Sequence, residues 1–200
     1  MRNQPTVVWD IDDVLNDLTR VWLERCWRKS HPKCRRRYVE LAENPPHRIL
    51  GIPKEDYLAS LDRFRLSGAY ARLKPNPEIL AWFERSGGRY RHLALSAVPL
   101  AAAGVSCAWL FKHFGRWIRS FHVVPSARPG QRVCGNRETK SEFLKRWGGA
   151  DFFVDDNEEN VRSAASAGIR TFLRPQPWNR GRGSVKDMLR EMESRLKESS

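Results

Sequence analysis

Five short apolar runs, each ending in small or polar residues, punctuate the chain: TVVWDI (6–11), YRHLALS (90–96), SFHVV (120–124), DFFVDD (151–156) and IRTFL (169–173). Their length and their β-branched and aromatic content predict strands. Helical spacing fills the intervals. Pro77 to Arg85 carries Ile79, Leu80 and Phe83, Leu100 to Phe114 is long and alanine-rich, and Thr139 to Trp147 and Glu158 to Ala167 follow. Strand and helix in alternation predict an α/β fold, a Rossmann-like parallel sheet with helices on both faces.

The stretch from Val14 to Lys74 breaks the alternation, because no strand is evident in it and Leu15, Leu18, Trp22 and Cys26 fall on one helical stripe. Pro45-Pro46 interrupts this stretch and Lys74-Pro75-Asn76-Pro77 closes it, since proline disfavours helix at its own position and at the residue before it. The expected organisation is a core of residues 1–13 and 75–200 with a helical cap, 14–74, inserted after the first strand. At the other end Val185, Met188, Leu189, Met192 and Leu196 share a face and predict a last helix.

Composition sets bounds on this picture. With 200 residues, 40% hydrophobic and 10% aromatic, the chain can bury one good core and a small insert. There are 36 Lys+Arg against 23 Asp+Glu, a net charge of +13, which suits phosphate-rich or otherwise anionic partners. No apolar stretch is long enough to span a membrane, and Met1 to Pro5 followed by a run that Asp10 interrupts does not resemble a secretion signal, so a cytoplasmic protein is expected. Cys26, Cys34, Cys107 and Cys134 form no CxxC pair and are expected to be reduced thiols. A zinc site from Cys26, His31 and Cys34 is conceivable, but its spacing fits no common finger or knuckle.

The chemistry concentrates at the strand ends. In open parallel sheets ligands bind beyond the carboxyl ends of the strands. There the first run delivers Asp10 and Asp12, the second Ser96, and the fourth Asp155 and Asp156, with Lys140 at the start of the helix before that fourth run. Buried carboxylates persist only with cations or protons beside them, and an all-oxygen set of this kind suits Mg²⁺. A cation, the Lys140 ammonium, the Ser96 hydroxyl and adjacent backbone N–H groups, that of Ala97 included, would hold a phosphate and stabilise its charged transition state. One aspartate could then attack phosphorus, and a second two residues on could exchange protons with leaving group and water.

In order along the chain, VVWDIDD, LALSA, Lys140 in ETKSEF and FFVDDNEEN resemble the four motifs of the haloacid dehalogenase (HAD) superfamily of phosphotransferases. The resemblance covers residues 6 to about 178 apart from the cap. It implies Asp10 as a nucleophile that forms an aspartyl-phosphate, Asp12 as general acid and base, Ser96 as phosphate ligand and Lys140 as charge clamp. It further implies Mg²⁺ held by Asp10, the backbone carbonyl of Asp12, and Asp155 or Asp156. Within the superfamily DIDDVLND resembles the 5'(3')-deoxyribonucleotidase branch, with further likeness in CAWLFKHFG, LKPNPEIL and LRPQPWN. Two departures stand: Asp13 occupies a position where that branch has glycine, and the loop from Pro125 to Glu138 is longer and more basic.

Plainer roles compete for several residues. Asp13 and Asp17 suit capping or structural roles, and Arg137 or Lys145 could stand in for Lys140. The basic run RCWRKSHPKCRRR (25–37), with Trp22 and Trp27 close by, could bind single-stranded nucleic acid, although an amphipathic helix with a solvated basic loop explains it as well. The expected activity is therefore Mg²⁺-dependent hydrolysis of a small phosphomonoester, with a nucleoside monophosphate as first candidate. A nucleic-acid end phosphatase and a non-catalytic basic module that binds nucleic acid or an acidic partner are the alternatives.

Overall fold

In the computed structural model, which describes residues 4–126, 128 and 138–198, all five expected strands form. They are β1 (Thr6–Trp9), β2 (Arg91–Ser96), β3 (Ser120–Val123), β4 (Phe152–Asp155) and β5 (Arg170–Leu173), joined into one parallel sheet of order β3-β2-β1-β4-β5. The helices are α1 (Leu18–Trp22), α2 (Arg28–Ser30), α3 (Lys54–Arg65), α4 (Gly68–Ala71), α5 (Pro77–Ser86), α6 (Leu100–Phe114), α7 (Lys140–Trp147), α8 (Glu158–Ser166) and α9 (Val185–Glu198).

Sheet position explains why β1 is apolar from Val7 to Trp9. β1 lies between β2 and β4 and is covered on both faces, so both sets of alternating side chains are buried. Val7 and Trp9, with Ala94, Phe152 and Val154, face a layer that includes Trp82 and Phe83 of α5, Trp109 and Phe114 of α6, and the apolar stripe of α9. Val8, Leu93, Leu95 and Phe153 face α7 and α8 through Phe143, Leu144 and Ala164. Local signals set the helix starts: Asn76 caps α5 with Pro77 at its first position, Thr139 and Glu142 form a capping box on α7, and Asn157 caps α8. Thr139 is thus the cap of α7 rather than part of its first turn, which makes Lys140 the first helical residue.

From 14 to 74 the described chain is helical or irregular apart from an isolated bridge between Asn16 and Pro75. α1 runs into a wider π-helical turn, Leu23–Trp27, before α2. This extra residue per turn shifts the expected stripe: Leu15, Leu18 and Trp22 are buried, but Trp27 takes the inward position and Cys26 is half-buried. Trp22 lies edge-on to Tyr57 and Trp27 stacks on His31, and both indoles are buried. The apolar side chains of this segment are continuous with those of the sheet layer in a single core.

A buried histidine in β2 makes the fold acid-sensitive. His92 accepts from Trp9 Nε1 at Nδ1 (3.1 Å), and its Nε2 lies 2.9 Å from the Gly87 carbonyl, so the neutral ring satisfies both neighbours and a second ring proton would confront the indole N–H. Burial accordingly lowers its pKa to about 4. The unfolded chain then binds the extra proton first, so stability is intact above the ordinary histidine pKa and is lost as pH falls from about 6.5 towards 4. Urea unfolding at pH 7 and 4.5 is expected to show wild type losing roughly 2–3 kcal/mol more than His92→Gln on acidification. Equal losses in the two proteins would refute this assignment.

Candidate active site

The winding of the sheet reverses between β1 and β4, and the crevice beyond their carboxyl ends holds the acidic residues. β1 stops at Trp9, two residues earlier than its apolar run, and the chain then curls so that Asp10, Asp12 and Asp13 all line one cavity of about 160 Å³. Ser96, Ala97, Lys140, Asp155 and Asp156 complete its sheet side, joined by Asn157 and Asn160, while Thr19, Asn44, Tyr57, Leu61 and Arg65 from the helical segment face them. Every residue expected from sequence to be in the site is therefore at this cavity. Lys140 holds the cationic position; Lys145 is exposed, and Arg137 lies outside the described residues.

Lys140 is the pivot of the arrangement. Its Nζ lies 2.7 Å from Asp10 Oδ1 and 2.7 Å from Asp155 Oδ2, all three side chains being almost wholly buried. Burial opposes its charge, yet the two carboxylates outweigh that and hold the ammonium above its ordinary range. Asp155 also accepts from the Asn157 backbone N–H (2.8 Å) at Oδ1 and from Asn160 Nδ2 (3.1 Å) at Oδ2. Asp156 carries one side-chain donor, Trp178 Nε1 at 2.9 Å.

Three carboxylates, those of Asp10, Asp155 and Asp156, bring oxygens within 4.8 Å of one another, and among the described residues they are the one set of three potential metal ligands that converges. Cys26, His31 and Cys34 do not converge in this way, and Cys134 lies outside the described residues. Burial, aided by the neighbouring carboxylates, raises Asp10 above the usual range and pushes Asp156 well above it. One ammonium does not neutralise this set, and an all-oxygen cluster short of positive charge fits a hard divalent cation such as Mg²⁺.

Asp12 points to a different set of partners. Oδ2 accepts from Arg65 Nε (2.9 Å), and Oδ1 accepts from the Tyr70 hydroxyl (2.8 Å) and Asn16 Nδ2 (3.2 Å). Arg65 and Tyr70 lie far along the chain from any acidic motif, and nothing local in the sequence singles them out. Asn157 and Asn160 were more accessible: one caps α8 and the other follows by one helical turn, directly after the acidic pair.

The oddity at Asp13 resolves into backbone geometry. Its φ is +59°, the left-handed region that glycine occupies freely and that Asp tolerates better than most residues. The carboxylate earns its place by accepting from the backbone N–H and hydroxyl of Thr19, and burial raises its pKa. Arg174, directly after β5, donates to the carbonyl oxygens of Asp13 and Asn16 and pairs with Asp17, which ties the loop after β1 to the far edge of the site. Asp13 and Asp17 thus shape the loop. Of the Pro125–Glu138 loop, residues 125, 126, 128 and 138 are among those described, and Arg128 pairs with Asp62 of α3.

The sheet and its flanking helices form a HAD-like Rossmann fold. Solved structures share it at low identity. A protein assigned as a β-phosphoglucomutase from Thermotoga maritima has 19% identity and a TM-score of 0.57, over 95% of this chain and 99% of that one. A HAD-superfamily hydrolase of subfamily IA from Geobacter sulfurreducens has 18% identity and a TM-score of 0.55, over 96% of each chain. A protein assigned as the HAD hydrolase YfnB from Bacillus subtilis, bound to magnesium, has 8% identity and a TM-score of 0.62, over 97% and 99%. Neither a protein-family model nor a curated protein matches the chain. No helix among the described residues is long and apolar enough to cross a membrane.

Proposed function

We propose that this protein is a Mg²⁺-dependent phosphomonoester hydrolase that works through an aspartyl-phosphate on Asp10. The observation that carries the reading is the Lys140 bridge between Asp10 and Asp155, set beside Asp156 and opening on a cavity that Ser96 and Ala97 also line. Asp10 and Asp156 would hold the ion with the Asp12 backbone carbonyl, while Asp155 pairs with Lys140 and serves to orient it. When bound, the ion supplies positive charge to the phosphoryl oxygens and to the nucleophile.

The residues of the chain do the rest. Ser96 and the Ala97 N–H bind phosphate oxygens, and Lys140 keeps the Asp10 carboxylate turned towards phosphorus. An Asp10 oxygen bonds to phosphorus, the bond to the leaving oxygen breaks, and that oxygen takes a proton from Asp12. Water then attacks phosphorus and gives its proton back to Asp12, and the bond to Asp10 breaks. The helical segment 14–74 acts as the cap over this chemistry, contributing Thr19, Asn44, Tyr57, Leu61 and Arg65 to the cavity wall.

Cavity size bears on the substrate. At about 160 Å³, against the roughly 300–1,000 Å³ of drug-sized sites, it has room for the phosphate end of a substrate, and it opens outward for the rest. The likeness of the first motif to deoxyribonucleotidases makes a nucleoside monophosphate the candidate to set against sugar phosphates. A phosphomonoester panel assayed with and without Mg²⁺ tests the reading, and metal-dependent phosphate release from a small member is expected. Absence of release across the panel would sink it. A preference for a 5'-phosphorylated oligonucleotide over its mononucleotide, weakening steeply with salt, would replace it with the end-phosphatase reading.

A further inference from the structure

Both oxygens of Asp12 are engaged by side chains, and the two strongest donors among them come from the helical segment. A carboxylate offers about four acceptor sites. Tyr70 and Asn16 take two at Oδ1, and Arg65 takes one at Oδ2, which leaves one site, on Oδ2. Arg65 is itself fixed: its Nη1 donates to Asp62 Oδ1 at 2.9 Å, and Asp62 Oδ2 accepts from Arg128 Nε at 2.6 Å. Tyr70 is backed by Ser106 of α6, whose hydroxyl lies 3.2 Å from its own. All of Asp12, Arg65, Tyr70 and Ser106 are buried.

We propose that Arg65, with Tyr70, is the positioning residue for the acid–base group: it turns the Asp12 carboxylate so that Oδ2 alone can carry the proton passed to the leaving oxygen. This rests on the hydrolase reading above and extends it to the helical segment, because α3 and α4 must be seated on the sheet before Asp12 is aligned. A purely structural Arg65, present to neutralise a buried carboxylate, would make the same contacts. The two roles differ in what they do to different leaving groups.

An alkyl phosphomonoester expels an oxygen that must be protonated as it departs, whereas p-nitrophenolate leaves without help. The parameter kcat/KM reports the steps up to that departure. The experiment compares wild type, Arg65→Met and Arg65→Lys on p-nitrophenyl phosphate and on β-glycerophosphate, or on the fastest alkyl phosphomonoester of the panel. Arg65→Met is expected to lose about 10²-fold in kcat/KM on the alkyl ester and no more than about threefold on p-nitrophenyl phosphate. Arg65→Lys, which can still donate once to Asp12, is expected to recover part of the alkyl-ester loss. Should Arg65→Met fail to fold, Tyr70→Phe removes one Oδ1 donor at nearly constant volume and is expected to show the same bias at about tenfold. Equal losses on both esters, or none on the alkyl ester, overturn the proposal while the hydrolase reading stands; a wild-type protein inactive on both esters and on the panel overturns both.

Discussion

Asp10→Asn is expected to lower Mg²⁺-dependent phosphate release by at least about 10³-fold, measured as kcat on the best substrate of the panel, because the amide cannot serve as the attacking group. The fold should survive the change. The amide oxygen still accepts from Lys140, and one carboxylate fewer eases a cluster whose burial already works against ionisation. Without Mg²⁺ the variant should therefore melt within about 2 °C of wild type or above it. In wild type, Mg²⁺ at a hundred times its Kd adds about 2.7 kcal/mol, or roughly 5–10 °C for a chain of this size. That rise should shrink in the variant, which has lost one of its proposed ligands. Turnover retained above about a tenth of wild type would remove Asp10 from the role of nucleophile.

Lys140→Met is expected to act on stability as well as on rate. Methionine nearly matches the lysine stem in volume but leaves Asp10 and Asp155 without the ammonium that lies 2.7 Å from each. Removing one partner of a buried ion pair costs about 3–5 kcal/mol, which corresponds to a fall in Tm of roughly 10 °C. Added Mg²⁺ should restore part of this loss, since the cation offsets the same carboxylates, and the restoration is read in the melting curve without any assay of activity. Activity should fall at least about 10²-fold even with Mg²⁺ saturating, because Lys140 also orients Asp10. A variant that melts with wild type in metal-free buffer would show that Lys140 does not stabilise the cluster.

Much of this was legible in the chain. The strands of a doubly covered parallel sheet must be apolar on both faces, so β1 and β4 announce themselves as short unbroken runs, and a carboxylate at the end of each is conspicuous against them. Lys140 is placed by a capping box that the sequence spells out as Thr139 and Glu142. Helix stripes were readable in α5 and α9 because a regular 3.6-residue period carries the pattern. At Cys26 the stripe loosens, because a π-helical turn changes the period: Trp27 takes the buried position and Cys26 packs against the core only in part.

Residue type and local spacing were thus sufficient for the sheet, its order of elements and the carboxylates of the crevice. Long-range partners were beyond them. Arg65 and Tyr70 meet Asp12 across more than fifty residues of helix and loop, and Arg174 meets Asp13 and Asp17 across more than one hundred and fifty. No periodicity links such pairs. They are selected by where the burial of apolar faces leaves a charge without water, and that is a property of the packed chain. Asp13 belongs to both categories: its acid was plain in the sequence, but the reason for it, a left-handed turn secured through Thr19, exists only once β1 has ended and the chain has curled over the site.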